Sequence, residues 1–464
     1  MHTHDEKWSW LQASNPLIIS SSGGGGHLTA AMSLIEQYQQ QQTILAYHTA
    51  QKPSQDSFSF EGLVDHLMLL AHIPAMRKLI RWIHQIELPG LAEVQQEYAQ
   101  LRLQQAKHPY RLYIDFLLDW MPNGHMMTAL FNLMQRKNHG PSLQQLVKNQ
   151  GFIDKLYKHT IQERLSKTLM DALNHDKPYD AIISTQALGI PALCRAVARY
   201  NLYLMQHQKT QPILEIHQFI TDIPHQYAKH YLEPMQTLDY LDKQFLNIHL
   251  LNIHDDMSFI PHQHAKKVWL YEPTENPMIR PSLHQAPPAL AHGVRTVFSR
   301  KTPIMILPQE RLGVVMLSSA NGQISLDYLS SLITIGIEHI ALVGKLDSCL
   351  HEQIKRISLG QSNIYMLGQL DAASLGELLQ HTHLMVVKSG GLSLMELASF
   401  KLHPTSIICL HEDNGLVWEV GNKKWFIQHC QQQRQQTLVA NPQNILQKYQ
   451  ALKHAIWVDK IRPS

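Results

Sequence analysis

The sequence predicts an α/β protein built from two Rossmann-like halves that face one another across a cleft, with a helical insertion in the first half. Three observations predict it. In the last third, short apolar runs alternate with amphipathic stretches of helical period, the pattern of β-α-β units and a parallel sheet. The same pattern occurs before residue 300, interrupted by a long block of helical periodicity at about 55–175. In each half a glycine-bearing loop lies between an apolar strand and an amphipathic helix, at the strand end where open α/β sheets bind ligands. The chain of 464 residues is also too long for one ordinary core.

The elements follow in order. Leu17-Ile18-Ile19 reads as a strand running into Ser20 to Gly26 and His27, and Leu28, Ala31, Met32 and Ile35 share one face of the next helix. Residues 43–47 read as a second strand. Within the helical block, Met76 to Ile83 is basic and amphipathic, and the apolar stretch Leu112 to Met134 is broken by the turn signal Pro122-Asn123-Gly124. Strands return at Tyr179 to Ser184 and at Ile213 to Ile220, the latter ending in Thr221-Asp222. Between them a helix begins near Pro191, where proline suits a first turn. Val268-Trp269-Leu270 reads as another strand, and Pro277, Pro281, Pro287 and Pro288 mark a loop or linker. Strands then fall at 314–317, 339–343, 364–367, 384–387 and 405–409 with helices between them. The domain limits so drawn are 1–300 and 301–440, with a final segment at 441–464.

Composition narrows the classes of function. Hydrophobic residues make up 44% and charged residues 17%, enough to bury a large core and to exclude global disorder. A formal charge of +3 argues against a protein built to hold nucleic acid. Thirty histidines would make the surface strongly basic near pH 6. The four cysteines, at 194, 349, 409 and 430, form no C-x-x-C pair, so neither a zinc knuckle nor a dithiol motif is expected, and a reducing compartment is the simplest reading. The polar first residues lack a signal peptide's apolar core, and no apolar run reaches about 20 residues. A cytoplasmic protein is expected, with peripheral membrane contact through residues 76–83 and Trp82 left open against an ordinary solvated helix face. His262/His264 and His381/His383 have spacing too weak to indicate a metal, and none is expected.

Two loops carry the chemistry. In the first, Gly23 to Gly26, glycines bring the backbone close to a ligand and leave amides free at a helix start. His27 stands at that start, where the helix dipole disfavours the imidazolium, and a neutral imidazole facing a cleft is a candidate general base. A flexible surface loop and a packing histidine are the plain alternatives. In the second loop, Lys388-Ser389-Gly390-Gly391, a hydroxyl and glycines again open a helix at a strand end, a setting suited to a phosphate or diphosphate. Glu396, two turns further in, is a carboxylate able to accept both hydroxyls of a ribose. An ordinary strand–helix turn with a solvated glutamate is the alternative there.

These residues resemble a GT-B glycosyltransferase, with the monogalactosyldiacylglycerol synthase and MurG-like family the nearest in pattern. Residues 22–31 resemble that family's acceptor-side glycine loop, including Gly24, Gly25 and Gly26. Thr221-Asp222 resembles the Thr-Asp of its lipid-galactosylating branch, and residues 388–396 resemble its donor-side loop. Trp418-Glu419-Val420-Gly421-Asn422 resembles that branch's Gln-Glu-Ala-Gly-Asn. The resemblance covers about two-thirds of the chain and implies an inverting, metal-independent transferase. It would move a sugar from a UDP-sugar, the donor substrate rather than a cofactor, to a hydroxyl acceptor such as a lipid. Gly368 would meet the base, Gly322 and Ser389 to Gly391 the diphosphate, Glu396 the ribose, and Glu419 and Asn422 the sugar or phosphates. His27 or Asp222 would take the acceptor's proton, and the final helix would cross back to the first domain. Where the family carries paired glycines, Ser318-Ser319-Ala320-Asn321-Gly322 keeps one, and Lys401 and His403 also depart from the pattern. Two other readings stand beside transfer: a nucleotide-sugar epimerase, and a non-catalytic binding protein of the same fold.

Overall fold

A computed structural model describes residues 4–21, 26–41, 91–107, 114–121, 124–136, 150–186, 188–254, 260, 263, 265–285, 295–299, 302–307, 309–317, 322–344, 348–357, 363–368, 370–412 and 416–461. The expected strand at 43–47, the stretch 76–83, Gly24, Gly25, His262, His264 and the turn 318–321 lie outside these residues.

Two six-stranded sheets form the frame, and every pairing within them is parallel. The front sheet holds β1 (Pro16–Ser20), β2 (Ile114–Asp115), β3 (Ala181–Ser184), β4 (Ile216–Phe219), β5 (Leu246–Leu251) and β6 (Lys267–Tyr271), in the order β2-β1-β3-β4-β5-β6. A two-stranded antiparallel pair follows, β7 (Arg295–Ser299) with β8 (Thr302–Ile306). The rear sheet holds β9 (Leu312–Met316), β10 (His339–Val343), β11 (Asn363–Gly368), β12 (Thr382–Val387), β13 (Ile407–His411) and β14 (Gln436–Ala440). Its order is β11-β10-β9-β12-β13-β14. Counted from its own first strand this is the 3-2-1-4-5-6 order of a doubly wound dinucleotide fold. These are the two facing Rossmann-like halves that the strand–helix alternation predicts, the arrangement of a GT-B fold.

Strand order decides where ligands bind. The rear sheet reverses direction between β9 and β12, and the front sheet between β1 and β3. The crevice outside the carboxyl ends of such neighbouring strands is the binding position of open α/β sheets. At those ends begin α1 (Gly26–Gln41), after β1, and α9 (Gly391–Ser399), after β12. Between them in the chain lie α2 (Leu91–Lys107), α3 (Gly124–Arg136), α4 (Gln150–Asn174), α5 (Ile190–Gln206), α6 (Gln323–Ile335), α7 (Ser348–Ile357) and α8 (Ala372–His381). The last helices are α10 (Val417–Gln432) and α11 (Ile445–Ile461).

The block expected to be wholly helical also contributes an edge strand. Ile114 pairs with Ile19, and the buried carboxylate of Asp115 caps the following turn by accepting Leu117 and Leu118 N–H at 3.1 and 3.0 Å. The final helix α11 is anchored on the rear half, where Ile445 and Tyr449 join that core and Lys448 donates to Glu412.

The outer faces of the sheets have separate cores, one with Leu17, Phe116, Leu165, Leu193 and Ile216, the other with Val315, Leu329, Leu342 and Cys409. A third core is continuous across the two halves. It joins Trp10, Leu34 and Phe219 of the front to Leu375, Leu392, Met395 and Phe426 of the rear. The two halves are therefore docked, and apolar burial holds the seam.

Candidate functional site

The front switch point is built from the ends of β1 and β3. His27, in the first turn of α1, lies with Nδ1 2.7 Å from the Thr185 carbonyl and 3.0 Å from Thr221 Oγ1. A carbonyl only accepts, so Nδ1 carries the hydrogen and Nε2 keeps its lone pair. Thr185 Oγ1 in turn donates to the His27 carbonyl at 2.9 Å, clamping the loop from both sides. Burial pushes the imidazole below its usual range, partly offset by the Thr185 bond. Burial thus favours the neutral imidazole, in the tautomer that leaves Nε2 bare.

The rear switch point is the loop from β12 into α9. Ser389 is buried, and its hydroxyl has no partner among the described residues. Gly390 stands as the N-cap, with open space where a side chain would lie. The two glycine-opened helices face each other, since a Cβ on Gly26 would sit 4.0 Å from Leu392 Cβ.

The seam closes on Asp222. A Cβ on Gly391 would fall 2.7 Å from Asp222 Cα and 2.8 Å from both Asp222 Oδ1 and the Thr221 carbonyl, so only glycine allows this approach. The Gly391 amide and the Tyr231 hydroxyl hydrogen-bond to the Asp222 carboxylate. Asn422 Nδ2 reaches Asp222 Oδ1 at 3.4 Å. Burial raises the Asp222 carboxyl to about 6, the charge of Glu419 adds to the rise, and the hydrogen bonds oppose it. His27, Thr185, Gln218, Thr221, Asp222 and Tyr231 share one cavity of about 10 Å³, room for about one water molecule. The side-chain carbonyl oxygen of Gln218, which lines it, is buried without a partner among the described residues.

The other predicted residues are placed as follows. Gly322 caps α6 after β9, and Gly368, at φ +65°, ends β11; both stand at the same end of the rear sheet. Gly26 opens α1. Glu396, expected at a ribose, is buried in α9 and gripped by Arg280 of the front half. Its Nε and Nη2 lie 2.7 and 3.2 Å from the two carboxylate oxygens. A ribose would have to share that carboxylate. Glu419 pairs with Lys388 at 3.2 Å and accepts Leu416 N–H at the start of α10. Asn422 is fully buried, turned to Asp222, to the Ser389 carbonyl at 3.0 Å and to His225.

Arg280, His225, Tyr231 and Thr185 belong to this constellation and were missed in the sequence. His225, three residues beyond Asp222 and directly after the Thr-Asp-Ile-Pro segment, had the one local signal. Arg280 lies on the segment that stitches the halves together: the Pro277 carbonyl accepts from Ser33 Oγ and Gln37 Nε2 of α1, while Asn276 donates to Met395 of α9.

No family model and no curated protein match the chain. Among solved structures it is similar to a putative UDP-N-acetylglucosamine 2-epimerase from Listeria monocytogenes, at 11% identity over 64% of this chain and 72% of that one, with a TM-score of 0.37. It is also similar to a UDP-GlcNAc 2-epimerase from Neisseria meningitidis solved bound to UDP-GlcNAc, at 12% identity over 66% and 76%, with a TM-score of 0.38. Likeness at this distance carries no argument about activity. Among the described residues, no helix is long and apolar enough to cross a membrane, and no cluster of three metal-ligating side chains occurs.

Proposed function

We propose that the protein is an enzyme of nucleotide sugars that works where the two switch points meet. One observation carries this reading: His27 and Asp222 share a cavity at the front switch point, and Asp222 meets the start of α9 at the rear one. The unpaired Ser389 hydroxyl and the amides of the first turn of α9, with the Gly391 amide released from Asp222, would take the diphosphate, and the positive helix end would stabilise it as a leaving group. Gly322 and Gly368 would border the nucleotide, Glu396 the ribose, and Glu419 and Asn422 the sugar side. The cavity is far smaller than a nucleotide sugar, so the substrate enters as the halves part.

Two reactions fit this frame. In transfer, a hydroxyl acceptor, a lipid included, gives its proton to His27 Nε2 or Asp222 as its oxygen attacks the anomeric carbon opposite the diphosphate, inverting that centre. In epimerisation, a carbon beside the anomeric centre loses a proton on one face and regains one on the other, which calls for two proton-transfer groups. His27 and Asp222, which share one cavity, provide two. The test is incubation with UDP-GlcNAc and UDP-hexoses, with and without a membrane extract, read by proton NMR and mass spectrometry. A new nucleotide sugar without UDP release means epimerisation, and UDP release with a new glycoside means transfer. Unchanged substrate in every mixture contradicts both and leaves a binding protein.

A further inference from the structure

The seam holds a polar chain that begins at His225, a residue neither reaction uses directly. His225 lies at the start of the 3-10 turn Gln226–Tyr231 of the front half, and its imidazole rests on Gly421 of α10. A Cβ there would fall 2.1–2.3 Å from three ring atoms, so only glycine seats this ring. The polarity of the chain is determined at both ends. Ser389 O only accepts, so the group 3.0 Å from it is the Asn422 NH2, and Asn422 Oδ1 faces His225. Trp418 O also only accepts, so the His225 Nε2 at 2.9 Å from it carries the hydrogen, which it shares with Asn422 Oδ1 at 3.1 Å. His225 Nδ1 accepts the Tyr227 N–H at 3.1 Å, which excludes a hydrogen there. With its oxygen held by His225, Asn422 has one orientation left, its NH2 toward Asp222 Oδ1 and Ser389 O.

We propose that His225 is a positioning residue: it locks the Asn422 amide as a donor to Asp222, so that docking of the rear half completes the front half's proton-transfer site. The inference rests on the reading of Asp222 as a proton-transfer group, but its geometry does not depend on which sugar reaction follows. The groups facing Asp222 are Tyr231 from its own segment and, across the shared cavity, His27 from α1. From the rear half they are Asn422, the Gly391 amide, and Glu419 with its partner Lys388. Among these, Asn422 is the donor whose direction a neighbour sets. Without the lock only the Ser389 carbonyl holds the amide, and the long 3.4 Å donation to Asp222 Oδ1 loosens, which disfavours the ionised form.

The experiment follows the carboxyl carbon of Asp222 by NMR in the full-length protein labelled at aspartate, the signal being assigned by its loss in Asp222→Asn. The comparison is wild type, His225→Leu and His225→Gln, together with the pH profile of whichever turnover the wild type shows. In His225→Leu the Asp222 midpoint is expected to rise, and the acidic limb of kcat to move up with it while KM changes little. His225→Gln, which keeps an N–H donor, is expected to restore both. An unmoved midpoint in His225→Leu overturns the proposal. So does a fall, which would mean that His225 only keeps the seam shut and Asp222 has met water. If His225→Leu does not fold, His225→Asn, polar but too short to reach Asn422, takes its place with the same expectations. A rise in the midpoint in a protein without turnover supports the lock and refutes the enzyme reading alone.

Discussion

Replacing Gly391 with alanine should prise the two halves apart. The added carbon would lie 2.7 Å from Asp222 Cα and 2.8 Å from the Thr221 carbonyl, against 3.4–4 Å for ordinary contact, so a retreat of about 0.7–1 Å is required. Two of the atoms to be moved are backbone, held where β4 leaves the front sheet, and no side-chain rotation relieves them. Overpacking of this kind costs about 1–3 kcal/mol. At about 2–4 °C per kcal/mol for a domain of this size, the melting temperature should fall by roughly 2–12 °C. Thermal denaturation measures it, and limited proteolysis should show faster cleavage between the halves. Gly390 is the matched control: no atom lies within 4 Å of its virtual Cβ and its backbone is ordinary, so Gly390→Ala should change stability by less than about 0.5 kcal/mol. If Gly391→Ala melted with the wild type, or if the two variants lost the same stability, the docked seam described above would be wrong.

Other outcomes follow from the same contacts. Removing Arg280 in Arg280→Met leaves the Glu396 carboxylate buried without its cation, so about 3–5 kcal/mol of stability should be lost in denaturant titration. A loss under about 1 kcal/mol would show that this ion pair does not hold the seam. In the front sheet His217 Nδ1 lies 3.1 Å from His249 Nε2, and His249 Nδ1 lies 2.8 Å from Tyr271 Oη. Burial pushes His217 down to about 4, and His249 downward as well. Both are neutral in the folded chain, whereas unfolded histidines take up protons near 6.5. Their contribution is therefore complete above about pH 6.5 and is lost as pH falls toward 4, about 3 kcal/mol for His217 alone. Equal urea stability at pH 7 and pH 5 would contradict this. His27→Ala should depress turnover strongly while leaving UDP affinity near that of the wild type; undiminished turnover removes His27 from the chemistry.

Much of the frame was legible because it repeats a physical pattern. Val314 to Leu317, His339 to Val343 and Leu384 to Val387 are buried runs bounded by turns, and the rear sheet uses each as a strand. The glycine loops were legible as places where a backbone comes close to something, and the helices they open do meet. What was hidden depended on distance along the chain. Two residues, Ile114 and Asp115, display no period, so an edge strand passed for helix. Arg280 finds Glu396 across 116 residues, and His225 finds Asn422 across 197, and no local pattern ties such partners together. Glu396 and Asn422 were read as groups open to a ligand, whereas the docked seam occupies both with residues of the opposite half.

The most direct test is calorimetric titration of UDP into wild-type protein and into Gly390→Ala, which intrudes a methyl group where the diphosphate is expected while leaving the fold unstrained. Saturable binding to the wild type, weakened at least about tenfold in the variant (about 1.4 kcal/mol), is the predicted result. Absence of UDP binding to the wild type, or equal affinity in the two proteins, would contradict a nucleotide site at the start of α9.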